Sequence, residues 1–178
     1  MKRLIAGLAG SLCALALLAI ATATYLGLGL MEVAADAKPA AWEAGLMPAA
    51  VHASVRRRAA AMQTMQNPLP HVDATLVAGG KLYMNDCVGC HGAPGHPSDY
   101  GVTFSPPAPQ FAQAGSQYSD AELFWVAKHG IRMSGMYPQS PHYSDSDLWR
   151  LTAFIARIGN LPPVVAKAIQ PPASPASN

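Results

Sequence analysis

The chain opens on an apolar run that no charge interrupts. Leu4 to Met31 reads LIAGLAGSLCALALLAIATATYLGLGLM. About twenty apolar residues at 1.5 Å each cross the hydrocarbon core of a bilayer. This run is longer, so it predicts a transmembrane helix with room for tilt. Lys2 and Arg3 stand before it, and positive charge held on the cytoplasmic side places the rest of the chain outside. Ala19-Ile20-Ala21 and Ala21-Thr22-Ala23 are small-x-small sites of the kind a signal peptidase uses. The apolar run continues past both through Leu26, Leu28, Leu30 and Met31, so the expectation is a retained signal-anchor over residues 1–31. Cys13, preceded by Leu12 rather than a small residue, reads as an inert apolar side chain.

The pattern then breaks. Residues 32–71 read as a linker punctuated by Pro39, Pro48, Pro68 and Pro70. One short helix is expected within it, from Ala49 to Met65, with Val51, Val55, Ala59 and Met62 near one face. Arg56, Arg57 and Arg58 sit mid-helix; they form a solvated face or a contact for anionic lipid or an acidic partner.

Residues 72–162 carry helical periodicity. Asp73 is placed to cap a helix from Ala74 to Asp86 with Leu76, Val77, Leu82 and Tyr83 on its apolar side. Gly79 and Gly80 weaken this helix but let another approach closely. Residues 92–118 hold Pro94, Pro97, Pro106, Pro107 and Pro109, a composition that predicts no regular element. Ser119-x-x-Glu122 is a capping box before Leu123, Phe124, Val126 and Ala127, in a helix ending near Gly130. Ser144-Asp145-Ser146-Asp147 opens a second helix with Leu148, Leu151, Phe154, Ile155 and Ile158 on one stripe and Trp149 beside it. Gly159 and Pro162 stop it. Residues 163–178, rich in Pro, Ala and Ser, are expected to be a disordered or loosely docked tail. The fold class that follows is all-α, a small helical domain after a single N-terminal transmembrane helix.

Chemistry enters at Cys87-Val88-Gly89-Cys90-His91. C-x-x-C-H is the pattern of c-type haem attachment: each thiol can add to one vinyl group, and the following His reaches the iron. A thioredoxin-like reading lacks its βαβ context. A zinc site lacks a second Cys pair, although His71 and His96 are nearby. The chain has three Cys in all, so haem leaves no pair for a disulfide. Pro94, three positions past His91, offers a carbonyl neighbourhood for the free ring N–H of that His.

Between the two capped helices lies Ile131-Arg132-Met133-Ser134-Gly135-Met136-Tyr137-Pro138. A thioether is a soft neutral ligand suited to the sixth position of a haem iron. Gly135 and Pro138 favour Met136, with Met133 the alternative and His129 and His142 the rivals. Charge adds little. Of 12 Lys and Arg, Lys2 and Arg3 precede the apolar run, leaving ten against ten Asp and Glu. That balance gives no strong steering field and no basic run suited to nucleic acid.

These features resemble a membrane-anchored mono-haem class I cytochrome c. The resemblance covers residues 72–162. It rests on the helix entering CVGCH, the GMYP loop holding Met136, and the closing helix DLWRLTAFI. The run LFWVAKHGIRMSGM, the MEVAAD segment from Met31 to Asp36 and the later VRRRAA are similar to the same group. Its usual continuation after the distal Met is M-P, where this chain has Tyr137 between Met136 and Pro138. The resemblance implies one covalent haem c held by Cys87, Cys90, His91 and Met136, with one-electron transfer rather than enzyme catalysis as its work. It also implies a haem domain on the periplasmic side of a bacterial inner membrane, within a respiratory chain. The partners it implies are a quinol-oxidising complex, a dehydrogenase or a terminal oxidase. A haem-based ligand sensor and a cytochrome subunit of a larger oxidoreductase complex are the alternative functions.

Overall fold

The computed structural model describes residues 2–62, 66–70 and 72–170. Met65, His71 and the tail from 171 onward lie outside these. The described residues form helices with no strand, as the periodicity requires. The chain divides into two compact units, Met1–Lys38 and Pro39–Asn178.

The first unit is one helix, α1 (Lys2–Gly27). Its segment Gly7–Gly27 is apolar and long enough to cross a membrane. The helix stops earlier than the apolar run because Gly29 takes a positive φ of 67°. Only Gly enters that region cheaply, and Leu28, Leu30 and Met31 fall past the helix.

The second unit begins with α2 (Ala41–Ala59), extended by a 3₁₀ turn over Ala60–Met62. The helix therefore starts eight residues before the expected Ala49 and carries Pro48 inside it. An interior proline removes one ladder bond and crowds the carbonyl four residues back, which kinks a helix without always ending it. Val55 and Ala59 are buried, Val51 is half-buried and Met62 packs on the core, so the expected apolar face is real. This face meets α6, which makes α2 a part of the helical unit rather than a free linker.

Next come α3 (Asp73–Asp86), the single turn α4 (Val88–His91), another single turn α5 (Phe111–Ala114), α6 (Asp120–His129), α7 (Asp145–Ile155) and α8 (Pro163–Ala168). Asp73 is not a cap. Val72 holds the N-cap position without a side-chain bond, and Asp73 sits in the first turn, where its charge suits the helix dipole. Both expected capping boxes form: Ser119 with Glu122, and Ser144 with Asp147. Hydrogen bonds from Ser144 and Arg150 hold the Asp147 carboxyl below its ordinary pKa, the Ser144 hydroxyl contributing most. Gly130, with φ 66°, ends α6.

The core lies where α3, α6 and α7 meet. Tyr83, Leu148 and Phe154 are fully enclosed, and Phe124 stacks on Trp149 at 4.2 Å between ring centroids. The closest helix contact is α3 on α7, and the two glycines of α3 make it possible. A Cβ on Gly79 would overlap the carbonyl of Arg150, and one on Gly80 would fall 2.6 Å from Ile169 Cγ2. Ile169 follows α8, whose Val165 is fully buried. The loosely docked tail is therefore not seen over 163–170, because two apolar side chains four residues apart give even a six-residue helix a buried face.

Gly79→Ala should cost at least about 2 kcal/mol, since backbone rather than a flexible side chain stands in the way. Gly45→Ala, with open space around it, should be neutral or slightly stabilising. Thermal denaturation of both variants beside the unaltered protein tests the pair; equal midpoints would remove the claim of a backbone contact.

Candidate haem-binding site

The C-x-x-C-H residues follow α3 directly: Cys87 lies between the helices as their shared cap position, and Val88–His91 form the single turn α4. A single turn leaves most of its carbonyl groups without helical partners. Cys87 O accepts from the N–H groups of Cys90 (3.2 Å) and His91 (2.9 Å), and Val88 O from Gly92 N–H (2.9 Å). Other segments satisfy the rest. The Ser98 hydroxyl donates to Gly89 O, Gln110 Nε2 donates to Cys90 O at 3.0 Å, and the Tyr83 hydroxyl donates to Gly92 O at 2.6 Å. Gly92 has φ 75°, which turns the chain sharply away from α4.

The proline-rich segment wraps this turn. It is not wholly irregular: it contains a 3₁₀ turn over Gly101–Thr103 and the helix α5. Gly101 is buried against the motif, and a Cβ there would overlap the carbonyl of Cys90. Ser98 Oγ also accepts from Gly101 N–H at 2.8 Å, so one hydroxyl links the wrap to the motif.

His91 is half-buried and its ring stacks on Phe111, with 4.7 Å between centroids and 15° between planes. Its Nδ1 lies 2.9 Å from the carbonyl oxygen of Pro109. A carbonyl only accepts, so Nδ1 carries the proton and Nε2 keeps its lone pair. The expectation placed this acceptor near Pro94; it is Pro109, eighteen residues along the chain. Burial lowers the His91 pKa, opposed by the Pro109 bond, so the ring is neutral at pH 7. Cys87 and Cys90 are half-buried free thiols. Burial pushes the Cys87 thiol up to about 12, with the charges of Asp86 and Cys90 adding to it.

The Met loop is stiffened by its own bonds. Ile131 N–H donates to Met136 O at 2.9 Å, the Ser134 hydroxyl donates to Ile131 O at 2.7 Å, and Met136 N–H donates to Ser134 Oγ at 3.1 Å. Met136 is half-buried. Met133 sits at the tip with φ 60° and is 91% exposed. The loop reaches the wrapping segment through Phe104, whose ring packs at Gly135. A cavity of about 310 Å³ is lined by Asn85 and Asp86, just before Cys87, and by Tyr137, Gln139, His142 and Tyr143, just after Met136. His129 is exposed on α6 beside Trp125 (4.9 Å), and His142 is exposed at the cavity mouth. His96 is exposed in a tight turn that returns to Ala93, and the described residues hold no cluster of three metal-ligating groups. The zinc reading has no support among them.

The donor set fits a haem. One free thiol stands at the start of the turn and one within it, and an imidazole with a free Nε2 follows them. Comparison with known proteins agrees. Residues 74–155 match the family model described as cytochrome C oxidase, cbb3-type, subunit III. No curated protein and no solved structure matches the chain. The matched segment is a class I c-type cytochrome domain, all-α, of a kind that binds haem c covalently and transfers electrons. One C-x-x-C-H in a domain this small agrees with one haem.

Sequence reasoning missed three supports of this site: the Pro109 carbonyl, the Gln110 amide and the Tyr83 hydroxyl. Only Tyr83 carried a signal, as a phenol four residues before Cys87 in a helix that had to bury it. Burial raises its pKa well above the ordinary value, so it stays a neutral donor. Tyr83→Phe would leave Gly92 O unpaired and should cost about 1–2 kcal/mol. Chemical denaturation measures this, and a loss below about 0.3 kcal/mol would mean that water replaces the bond.

Proposed function

We propose that the protein is a membrane-tethered one-electron carrier whose haem would be held by Cys87, Cys90, His91 and Met136. The observation that supports this most directly is the His91–Pro109 bond, which commits Nδ1 and leaves Nε2 to a metal. In this reading Cys87 and Cys90 anchor the porphyrin through thioether bonds. His91 Nε2 supplies the proximal ligand, and Pro109 fixes its tautomer and orientation. When bound, the haem supplies a ferrous–ferric couple whose potential a thioether raises relative to a second imidazole.

Met136 is the better distal ligand on two grounds. Its backbone N–H and C=O are both tied within the loop, and its side chain is half-buried. Met133 directs its side chain to solvent. With His91 and Met136 both given to the iron, no protein-free position would be left for a substrate, so the chain would act as a carrier rather than an enzyme by itself. Polar bonds from Ser98, Gln110 and Tyr83 hold the turn in place, which keeps its geometry common to both oxidation states.

The apolar α1 serves as the anchor, with the helical unit on the periplasmic face of an inner membrane. Redox partners there are a quinol-oxidising complex, a dehydrogenase or a terminal oxidase. The description of the matched family, a subunit of an oxidase, favours a second reading in which the chain is a cytochrome subunit of such a complex.

Absorption spectra of the purified protein with and without carbon monoxide test the axial assignment. The expected result is a low-spin c-type spectrum that carbon monoxide leaves unchanged. Met136→Ala should open the sixth position and bind carbon monoxide, while Met133→Ala should behave as the unaltered protein. Carbon monoxide binding by the unaltered protein would instead bring the ligand-sensor function forward, and the reverse behaviour of the two variants would transfer the ligand role to Met133.

A further inference from the structure

The side-chain amide of Gln110 uses both of its ends. Its Nε2 donates to Cys90 O at 3.0 Å and to Ala108 O at 2.9 Å, and its Oε1 accepts from Ser98 N–H at 2.7 Å. It occupies space that Gly92 leaves open, since a Cβ there would come 2.7 Å from Gln110 Oε1.

These bonds bracket Pro109, which lies between Ala108 and Gln110. A carbonyl oxygen points where its peptide plane directs it; the Pro109 carbonyl shares its plane with Gln110 N, and the preceding Ala108–Pro109 plane has no N–H to fix it. The plane on one side ends in Ala108 O, which Gln110 holds. On the other side stands Gln110 itself, tied to Cys90, the residue before His91. One amide thus links the acceptor of the His91 Nδ1 bond to the turn that carries the donor.

We propose that Gln110 is a positioning residue for the axial imidazole: it holds the Pro109 carbonyl against His91 Nδ1 and thereby helps set the reduction potential. The inference rests on His91 ligating the iron. A firmly held acceptor on Nδ1–H increases the basicity of Nε2 and so favours the ferric iron. Releasing the carbonyl weakens that donation and favours the ferrous iron.

The test uses the full-length haem-loaded protein and Gln110→Met, which keeps the side-chain bulk and removes every polar bond. Asn67→Ala serves as a stability control. Its amide bonds Trp149 O and Leu69 N–H, and neither belongs to the haem-binding turn. Redox titration of Gln110→Met should show a raised potential. The ferrous-to-ferric ratio at a fixed applied potential should rise about threefold, about 30 mV for one electron. The His91 Nδ1–H proton resonance of the ferrous protein should move upfield with it. Asn67→Ala should lower the thermal midpoint and leave potential and resonance where they were.

An unchanged potential and resonance in Gln110→Met, with stability alone reduced, would overturn the proposal and leave Gln110 a purely structural brace. If that variant fails to acquire haem, solvent exchange of the Gln110 side-chain amide protons decides the matter in the unaltered ferrous protein. Exchange at least about tenfold slower than a free amide supports the clasp, and solvent-like exchange refutes it. Failure of the underlying haem assignment shows separately, as an unaltered protein without a low-spin c-type spectrum.

Discussion

A helix of one turn cannot satisfy most of its own carbonyl groups, and the C-x-x-C-H turn is such a helix. The C-x-x-C-H spacing requires two thiols and an imidazole to project from five consecutive residues, which leaves no length for an internal ladder. Gly89, Cys90 and Gly92 therefore look outward for donors. Ser98, Gln110 and Tyr83 provide them, from two stretches of the wrapping segment and from the helix that leads into the motif. An unpaired buried carbonyl costs about 1–3 kcal/mol, so the proline-rich segment is bound to the motif by need. Its path in turn delivers the Pro109 carbonyl to His91 and the Phe111 ring against the imidazole face.

The same logic explains why α3 carries two adjacent glycines. The helix that presents the motif must lie close to α7 if Tyr83 is to be enclosed by Phe154, whose ring centroid lies 5.3 Å away. Enclosure aims the phenol at Gly92 and leaves it no solvent alternative. Helix packing and the motif's polar supports are thus parts of one arrangement. A methyl group added at Gly79 would act on the motif through Tyr83.

Much of this was legible in the sequence, for identifiable reasons. Capping boxes are local and readable, and both formed where Ser119 and Ser144 stand. The motif and the Gly79–Gly80 pair are likewise local. What escaped was either backbone or context. The Pro109 carbonyl has no residue-type signature, and proximity along the chain pointed to Pro94 instead. Pro48 read as a breaker because sequence cannot show that packing against α6 outweighs one lost bond. Residues 163–170 read as a tail because proline suggests disorder, yet Pro163 opens α8, a position where its missing N–H costs nothing. The Met loop lay between these cases: composition marked two candidates, and they differ in exposure, Met136 half-buried and Met133 91% exposed.

The placement of α8 also bears on the order in which the protein is made. The helix presenting the thiols is synthesised well before the two helices that cover it, α7 and α8. Until those emerge, Gly79 and Gly80 face no partner and α3 has too little apolar contact to be stable alone. Cys87 and Cys90 are then carried on an open chain. Closure of the fold buries Cys87 and suppresses its thiolate. Helices α7 and α8, made last among the described helices, are thus the ones that complete the packing around α3.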